Sequence, residues 1–96
     1  MIPIEDVYEQ IRHMAADAHA ERVVLFGSRA RGDNRPKSDI DIAIAGCESF
    51  DQLEDRLQHE LWSLLELDVI NLDSCTSQEL RTEIARDGKV LYEKVR

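Results

Sequence analysis

Cationic side chains are scarce in this chain: 12 Lys and Arg stand against 20 Asp and Glu, for a formal charge of -8. That balance argues against broad binding along a polyanion such as DNA and against a template-tracking polymerase. Cysteine is nearly absent too. Cys47 and Cys75 lie 28 positions apart, with no Cys-x-x-Cys and no histidine at zinc spacing, so both are expected as free thiols. There is no signal-type apolar run at the N-terminus and no long uninterrupted hydrophobic segment, which predicts no membrane association and a reducing, cytoplasmic setting. Internal repeats, linkers and low-complexity stretches are missing as well. At 96 residues and 11.0 kDa the chain is expected to form one domain, 1–96, with a single modest core and no second substrate-binding lobe, leaving specificity to loops or a partner.

What is present is an alternation of helical and strand patterns, which predicts one compact α/β unit. Ile4, Val7, Tyr8, Ile11, Met14, Ala15 and Ala18 recur at three- and four-residue intervals, predicting a helix that begins near Pro3. Val23-Val24-Leu25-Phe26 reads as a buried strand ending on Gly27. A short helical turn through Ala30 and Arg31 and a loop from Gly32 to Pro36 precede a second strand, Asp39 to Ile44, with the isoleucines on one face and Asp39, Asp41 and Ala43 on the other. Ser49 or Asp51 can cap a middle helix whose apolar stripe runs Phe50, Leu53, Leu57, Leu61, Leu64 and Leu65. Leu67 to Leu72 predicts a third strand, in which Asp68 is an acid between apolar neighbours. Thr76 with Glu79 fits a capping box for a last helix, Gly88 its stop, and Val90-Leu91-Tyr92 a closing edge strand.

The chemistry concentrates between Gly27 and Asp41. Acids at i and i+2 on one strand face have Cα atoms about 6.6 Å apart, and their side chains can converge on metal ions spaced roughly 3.5 to 4 Å. Hard oxygen donors select Mg²⁺ or Mn²⁺, completed by phosphate oxygens of a substrate. Gly27-Ser28 after a strand permits close backbone approach, presents the N–H groups of the next turn and adds a hydroxyl. The lysine of a Walker A loop is lacking, so the phosphate site is of another kind. Arg29, Arg31, Arg35 and Lys37, against Asp33 alone, form a local cationic island between the glycine turn and the acids, which points to phosphate binding rather than to a merely solvated loop. Each piece alone is a common turn or edge; their conjunction defines a site.

Gly27, Ser28, ten residues, then Asp39 and Asp41 resembles the defining pattern of the nucleotidyltransferase superfamily with the DNA polymerase β-like fold, which implies an α/β fold of the α+β type, a small mixed sheet packed with helices. The fuller Gly-Ser-x-Ala-Arg-Gly form, Gly27 to Gly32, is similar to the minimal nucleotidyltransferases that act as antitoxins to HEPN-domain toxins, and the likeness runs to the closing Gly88 to Glu93. The resemblance implies transfer of AMP from ATP to a hydroxyl, most directly a tyrosine of a HEPN toxin bound in a hetero-oligomer, with release of pyrophosphate. It implies Asp39, Asp41 and a third acid from a neighbouring strand as catalytic and metal-binding residues. Asp68 fits that position, with Asp73 as fallback. Gly27 and Ser28 would hold the outer phosphates, and Arg29 or Lys37 would offset charge on the pyrophosphate. Arg31 is expected to pair with an acid and fix the loop in preference to touching nucleotide. A non-catalytic antitoxin that binds and covers its toxin, and a small-molecule nucleotidyltransferase, are the competing functions.

His13, His19 and His59 are dispersed and expected at the surface, with no metal set among them. Tyr8 and Trp62 are expected in the core or half-buried in preference to a partner interface, and Tyr92 at the sheet edge.

Overall fold

The computed structural model describes residues 3–95. Its elements run α1 (Ile4–Asp17), β1 (Arg22–Phe26), α2 (Ser28–Arg31), β2 (Ile40–Ala45), α3 (Phe50–Glu60), β3 (Leu67–Asn71), α4 (Gln78–Asp87) and β4 (Lys89–Glu93). The strands form one sheet in the order β3-β2-β1-β4. β1 is antiparallel to both β2 and β4, whereas β2 and β3 run parallel. The sheet is therefore mixed, as expected.

Side-chain alternation divides the core in two. Val23, Leu25, Ile40, Ile42, Ile44 and Leu67 face α1 and α3, joined by Val7, Ile11, Leu53 and Leu57. Val24, Phe26 and Ala43 face the other way and meet Ile84 of α4. Ile40, Ile42 and Ile44 are fully buried, each contributing roughly 1.5 to 3 kcal/mol. Because β2 is anchored on that side by three isoleucines, its intervening residue Asp41 is held on the α4 face. Among the described residues, no helix is long and apolar enough to cross a membrane.

Three expectations change. The middle helix ends at Glu60, so Leu61, Leu64 and Leu65 do not extend its stripe; Leu61 is already extended, at φ -68° and ψ 123°. The cause lies far off in sequence. The Gln10 side chain accepts from Trp62 N–H at 2.7 Å and donates to the Trp62 carbonyl at 3.2 Å, pulling the chain off the helical path. Leu65 still packs on the core, but Leu64 is 101% exposed and Trp62, expected in the core or half-buried, is 77% exposed. Second, α4 is capped one residue later than the Thr76–Glu79 pattern suggested: Ser77 Oγ accepts from Leu80 N–H at 3.2 Å. Third, Gly88 does stop α4, but at φ -63°, not in the left-handed region. Glycine is required there because a Cβ would strike the Ile84 carbonyl and the Val24 side chain.

Among smaller details, the side-chain cap expected at the start of α3 is not formed, while the cysteines, Tyr8, Tyr92 and the histidines lie as expected. Ser49 stands at the α3 N-cap position without a side-chain cap bond, and Asp51 lies in the first turn. Cys47 is buried and Cys75 half-buried, both as free thiols. Tyr8 is buried and Tyr92 packs at the edge on β4. His13 and His59 are exposed beside Glu9 and Asp55.

Candidate active site

β1 delivers the chain to Gly27, which turns it at φ 74° and ψ -156°, a conformation essentially limited to glycine. Gly27 then opens α2: its carbonyl accepts from the N–H groups of Ala30 and Arg31, both at 3.1 Å. Ser28 is half-buried in the first turn, where the N–H groups of Ser28 and Arg29 have no carbonyl of their own helix to bond. A second reason for glycine lies across the strand pair. Phe26 is the register partner of Asp41, and a Cβ on Gly27 would collide with Asp41 Oδ2. The glycine turn and the Asp41 carboxylate are in direct van der Waals proximity.

Asp41 is also the register partner of Asp68 on the parallel neighbour β3. Both residues project to the α4 face, and the Asp68 carboxylate is close enough to share a proton with that of Asp41. Burial, the proton-sharing contact with Asp68 and the negative charges of Asp68, Asp39 and Glu83 together raise the Asp41 pKa from 3.8 to about 6. Among the described residues, no ion pair to a Lys or Arg is formed by either of these two carboxylates.

The sequence-predicted acids are thus placed unequally. Asp41 and Asp68 meet. Asp39, exposed at the entrance to β2, acts on Asp41 through its charge. Among the described residues, no three His, Cys, Asp or Glu side chains already surround a common point. The fallback Asp73 has other employment: its Oδ2 accepts the Gly46 N–H at 2.7 Å just beyond the far end of β2. Asp68 does stand on an edge strand and is exposed, yet its register with Asp41 separates it from an ordinary edge acid.

The cationic residues divide likewise. Arg29 braces the loop that leads into Asp39, donating from Nε to the Ser38 carbonyl at 3.1 Å and from Nη2 to the carbonyls of Pro36 and Ser38 at 3.0 and 2.9 Å. It also meets the Tyr8 hydroxyl, whose pKa burial raises against the opposing pull of the guanidinium. Ser38 tightens the same loop, its Oγ accepting Arg35 N–H at 2.8 Å. Arg31 pairs with Asp33 at 3.1 Å and with Glu83 at 3.3 Å, the loop-fixing role expected of it. Lys37 is exposed on the loop.

Glu83 was not singled out from the sequence. It joins α4 to the site by pairing with Arg31 and adding its charge to that felt by Asp41. Its neighbour Ile84 packs on the sheet face that carries Asp41, and the apolar pair Leu80 and Ile84 on the last helix was the available signal.

A pair of hard oxygen donors short of positive charge, beside a glycine turn with free N–H groups, suits a divalent ion and the phosphates it neutralises. Mg²⁺ commonly takes only one or two protein carboxylates and fills its remaining positions with water and substrate oxygens, which accords with two carboxylates in contact and a third nearby. Such an arrangement fits phosphoryl or nucleotidyl transfer on a small mixed sheet. Residues 9–96 match the family described as polymerase beta, nucleotidyltransferase, and the chain belongs to that family. A protein of Methanocaldococcus jannaschii, named provisionally as a protein adenylyltransferase, is 37% identical, the match covering 75% of this chain and 78% of that protein. A solved toxin–antitoxin with AMP-PNP is similar at 26% identity and TM-score 0.71, covering 91% of this chain and 73% of the other. A provisionally named minimal nucleotidyltransferase is similar at 28% identity and TM-score 0.71, covering 90% of both chains.

Proposed function

We propose that this chain, acting as one minimal domain over 1–96, transfers AMP from ATP to a hydroxyl of a partner protein, a tyrosine of a HEPN-domain toxin, and thereby serves as its antitoxin. The observation that carries this reading is the Asp41–Asp68 carboxylate pair, with Asp41 against Gly27. The 26% identical toxin–antitoxin relative with AMP-PNP and the 37% identical adenylyltransferase relative support the donor, the acceptor class and the partner.

Asp39, Asp41 and Asp68 would hold Mg²⁺, or Mn²⁺ in its place. When bound, the metal supplies charge neutralisation of the triphosphate and lowers the pKa of an attacking hydroxyl. The protein's own groups do the rest. Gly27 lets the triphosphate approach the backbone, the first-turn N–H groups of α2 and the Ser28 hydroxyl bind its outer phosphates, and Lys37 adds charge near the departing pyrophosphate. Arg29 contributes by holding the loop that sets Asp39. Asp68, on the outer strand, orients the acceptor hydroxyl and receives its proton as oxygen bonds to the α-phosphorus.

The test is transfer of label from α-labelled ATP, with Mg²⁺, to the protein encoded beside this one. Asp39→Asn with Asp41→Asn is expected to lower transfer by on the order of 10³-fold or more while circular dichroism stays unchanged. A folded double variant that transfers label at the wild-type rate would refute the scheme. One that transfers nothing yet still neutralises the toxin at equal dose would assign protection to occlusion.

A further inference from the structure

Ser28 in the glycine turn and Asp39 at the entrance to β2 are separated by ten residues, and the transfer reading needs them held at one distance, the first for phosphates and the second for metal. Arg29 spans that interval. From the position after Ser28 it reaches the position before Asp39, Nε donating to the Ser38 carbonyl at 3.1 Å and Nη2 to the Ser38 and Pro36 carbonyls at 2.9 and 3.0 Å. The loop it grips is already closed on itself, Ser38 N–H donating to the Arg35 carbonyl at 3.0 Å and Ser38 Oγ accepting Arg35 N–H at 2.8 Å. A planar fork of this kind positions a loop only as well as its own plane is held.

Helix α1 meets the same guanidinium. Ala30, next to Arg29, is buried in the cluster that holds Tyr8, which seats α2 beside α1. The Tyr8 hydroxyl there neighbours the Arg29 guanidinium, and since a guanidinium only donates, the phenolic oxygen is the acceptor. Nη1 is the arm that the three loop bonds do not use. Phenylalanine would fill the ring's place in the core equally well, and a hydroxyl removed from water is costly unless it gains a partner. Glu5, three positions earlier on α1, adds negative charge on the Tyr8 side, which favours a cation beside it.

We propose that Tyr8 is a positioning residue for metal binding: its hydroxyl fixes the plane of the Arg29 fork, the fork fixes Ser38, and Asp39 is thereby held within reach of the Asp41–Asp68 pair. The inference rests on the transfer reading above and deepens it, by tying the third acid of the site to α1 in the core. It also assigns Arg29 to the loop and not to the pyrophosphate.

The experiment uses the full chain and the variants Tyr8→Phe, Arg29→Lys and the two combined, with circular dichroism as the check on folding. Mn²⁺ binding is followed by electron paramagnetic resonance without nucleotide, and transfer from α-labelled ATP to the protein encoded beside this one is measured separately. Arg29→Lys keeps the charge and loses the fork, so its Mn²⁺ dissociation constant should rise about tenfold. Tyr8→Phe should raise it about threefold, and the combined variant should match Arg29→Lys, because both changes act through one link. In an Asp39→Asn background Tyr8→Phe should add nothing, a result that loosened core packing would not give. The KM for ATP at saturating Mn²⁺ should stay near the wild-type value throughout. Wild-type Mn²⁺ affinity in Tyr8→Phe, or a combined loss equal to the product of the single losses, would overturn the link. So would an Arg29→Lys chain with a raised KM for ATP and unchanged Mn²⁺ affinity, which would place Arg29 on phosphate. The predicted pattern of Mn²⁺ binding in a chain that labels no protein would uphold the link and remove the transfer reading itself.

Discussion

The two ends of the β2–β3 pair use acids in opposite ways. Beyond the far end, Asp73 accepts a backbone N–H from Gly46 at 2.7 Å and in doing so ties the turn after β3 to the turn after β2. At the near end Asp41 faces Asp68, with Asp39 and Glu83 adding charge of the same sign and burial adding to the penalty. One acid is satisfied by the fold; the other is held by the fold in a place that disfavours its charge. Where a protein holds a half-buried acid against a second carboxylate, the positive charge that suits it is one a ligand can bring, and such a site is where stability is commonly traded for chemistry.

Breaking the glycine contact should have the largest structural effect. Gly27→Ala forces a side chain into the Asp41 carboxylate at φ 74°, and a loss of about 1 to 3 kcal/mol in urea unfolding is expected together with loss of nucleotide binding. Neutralising the acids separates the two ends more sharply. Asp41→Asn should stabilise the metal-free chain at pH 7.5 by on the order of 1 to 2 kcal/mol, after allowance for the partial exposure of the group, whereas Asp73→Ala should destabilise it by about 1 kcal/mol.

The pH dependence has a definite sign. The folded Asp41 pKa of about 6 lies above the ordinary 3.8, so its ionisation costs stability at every pH above both values. As pH falls from about 6 toward 3.8 the folded chain takes up the proton first, the cost disappears, and the advantage of Asp41→Asn should shrink to nothing. Thermal melts in a chelator across that range check it, and an advantage that persisted at pH 3.8 would contradict the assignment. Saturating Mg²⁺ should narrow the same gap at pH 7.5 by stabilising the wild type more than the variant. The smallest effect is expected at Glu83→Gln. Its pair with Arg31 is partly exposed, so stability should change by roughly 0 to 1 kcal/mol, with the Asp41 pKa moving down.

Gly27, Ser28, Asp39 and Asp41 were legible because local chain order alone sets them: a strand, a glycine turn, and a second strand whose alternation is fixed by Ile40, Ile42 and Ile44. Asp68 was legible as an acid among apolar residues, but its register opposite Asp41 depends on parallel pairing between strands 27 positions apart, which no local pattern encodes. The middle helix was overrun for the same reason. Leucine spacing continues smoothly past Glu60, and the hydrogen bonds that redirect the chain come from Gln10, 52 positions away. The bracing role of Arg29 was not legible, because its partners are backbone carbonyls, invisible in side-chain chemistry. Trp62 looked like core because large aromatics usually are, and only the end of α3 puts it outside.

Everything proposed for the site depends on where metal and triphosphate sit. Crystals grown with Mn²⁺ and a non-hydrolysable ATP analogue should show anomalous scattering between the Asp41 and Asp68 carboxylates, with the outer phosphates over Gly27 and Ser28. Manganese bound away from that pair, or phosphates seated elsewhere on the sheet, would contradict it.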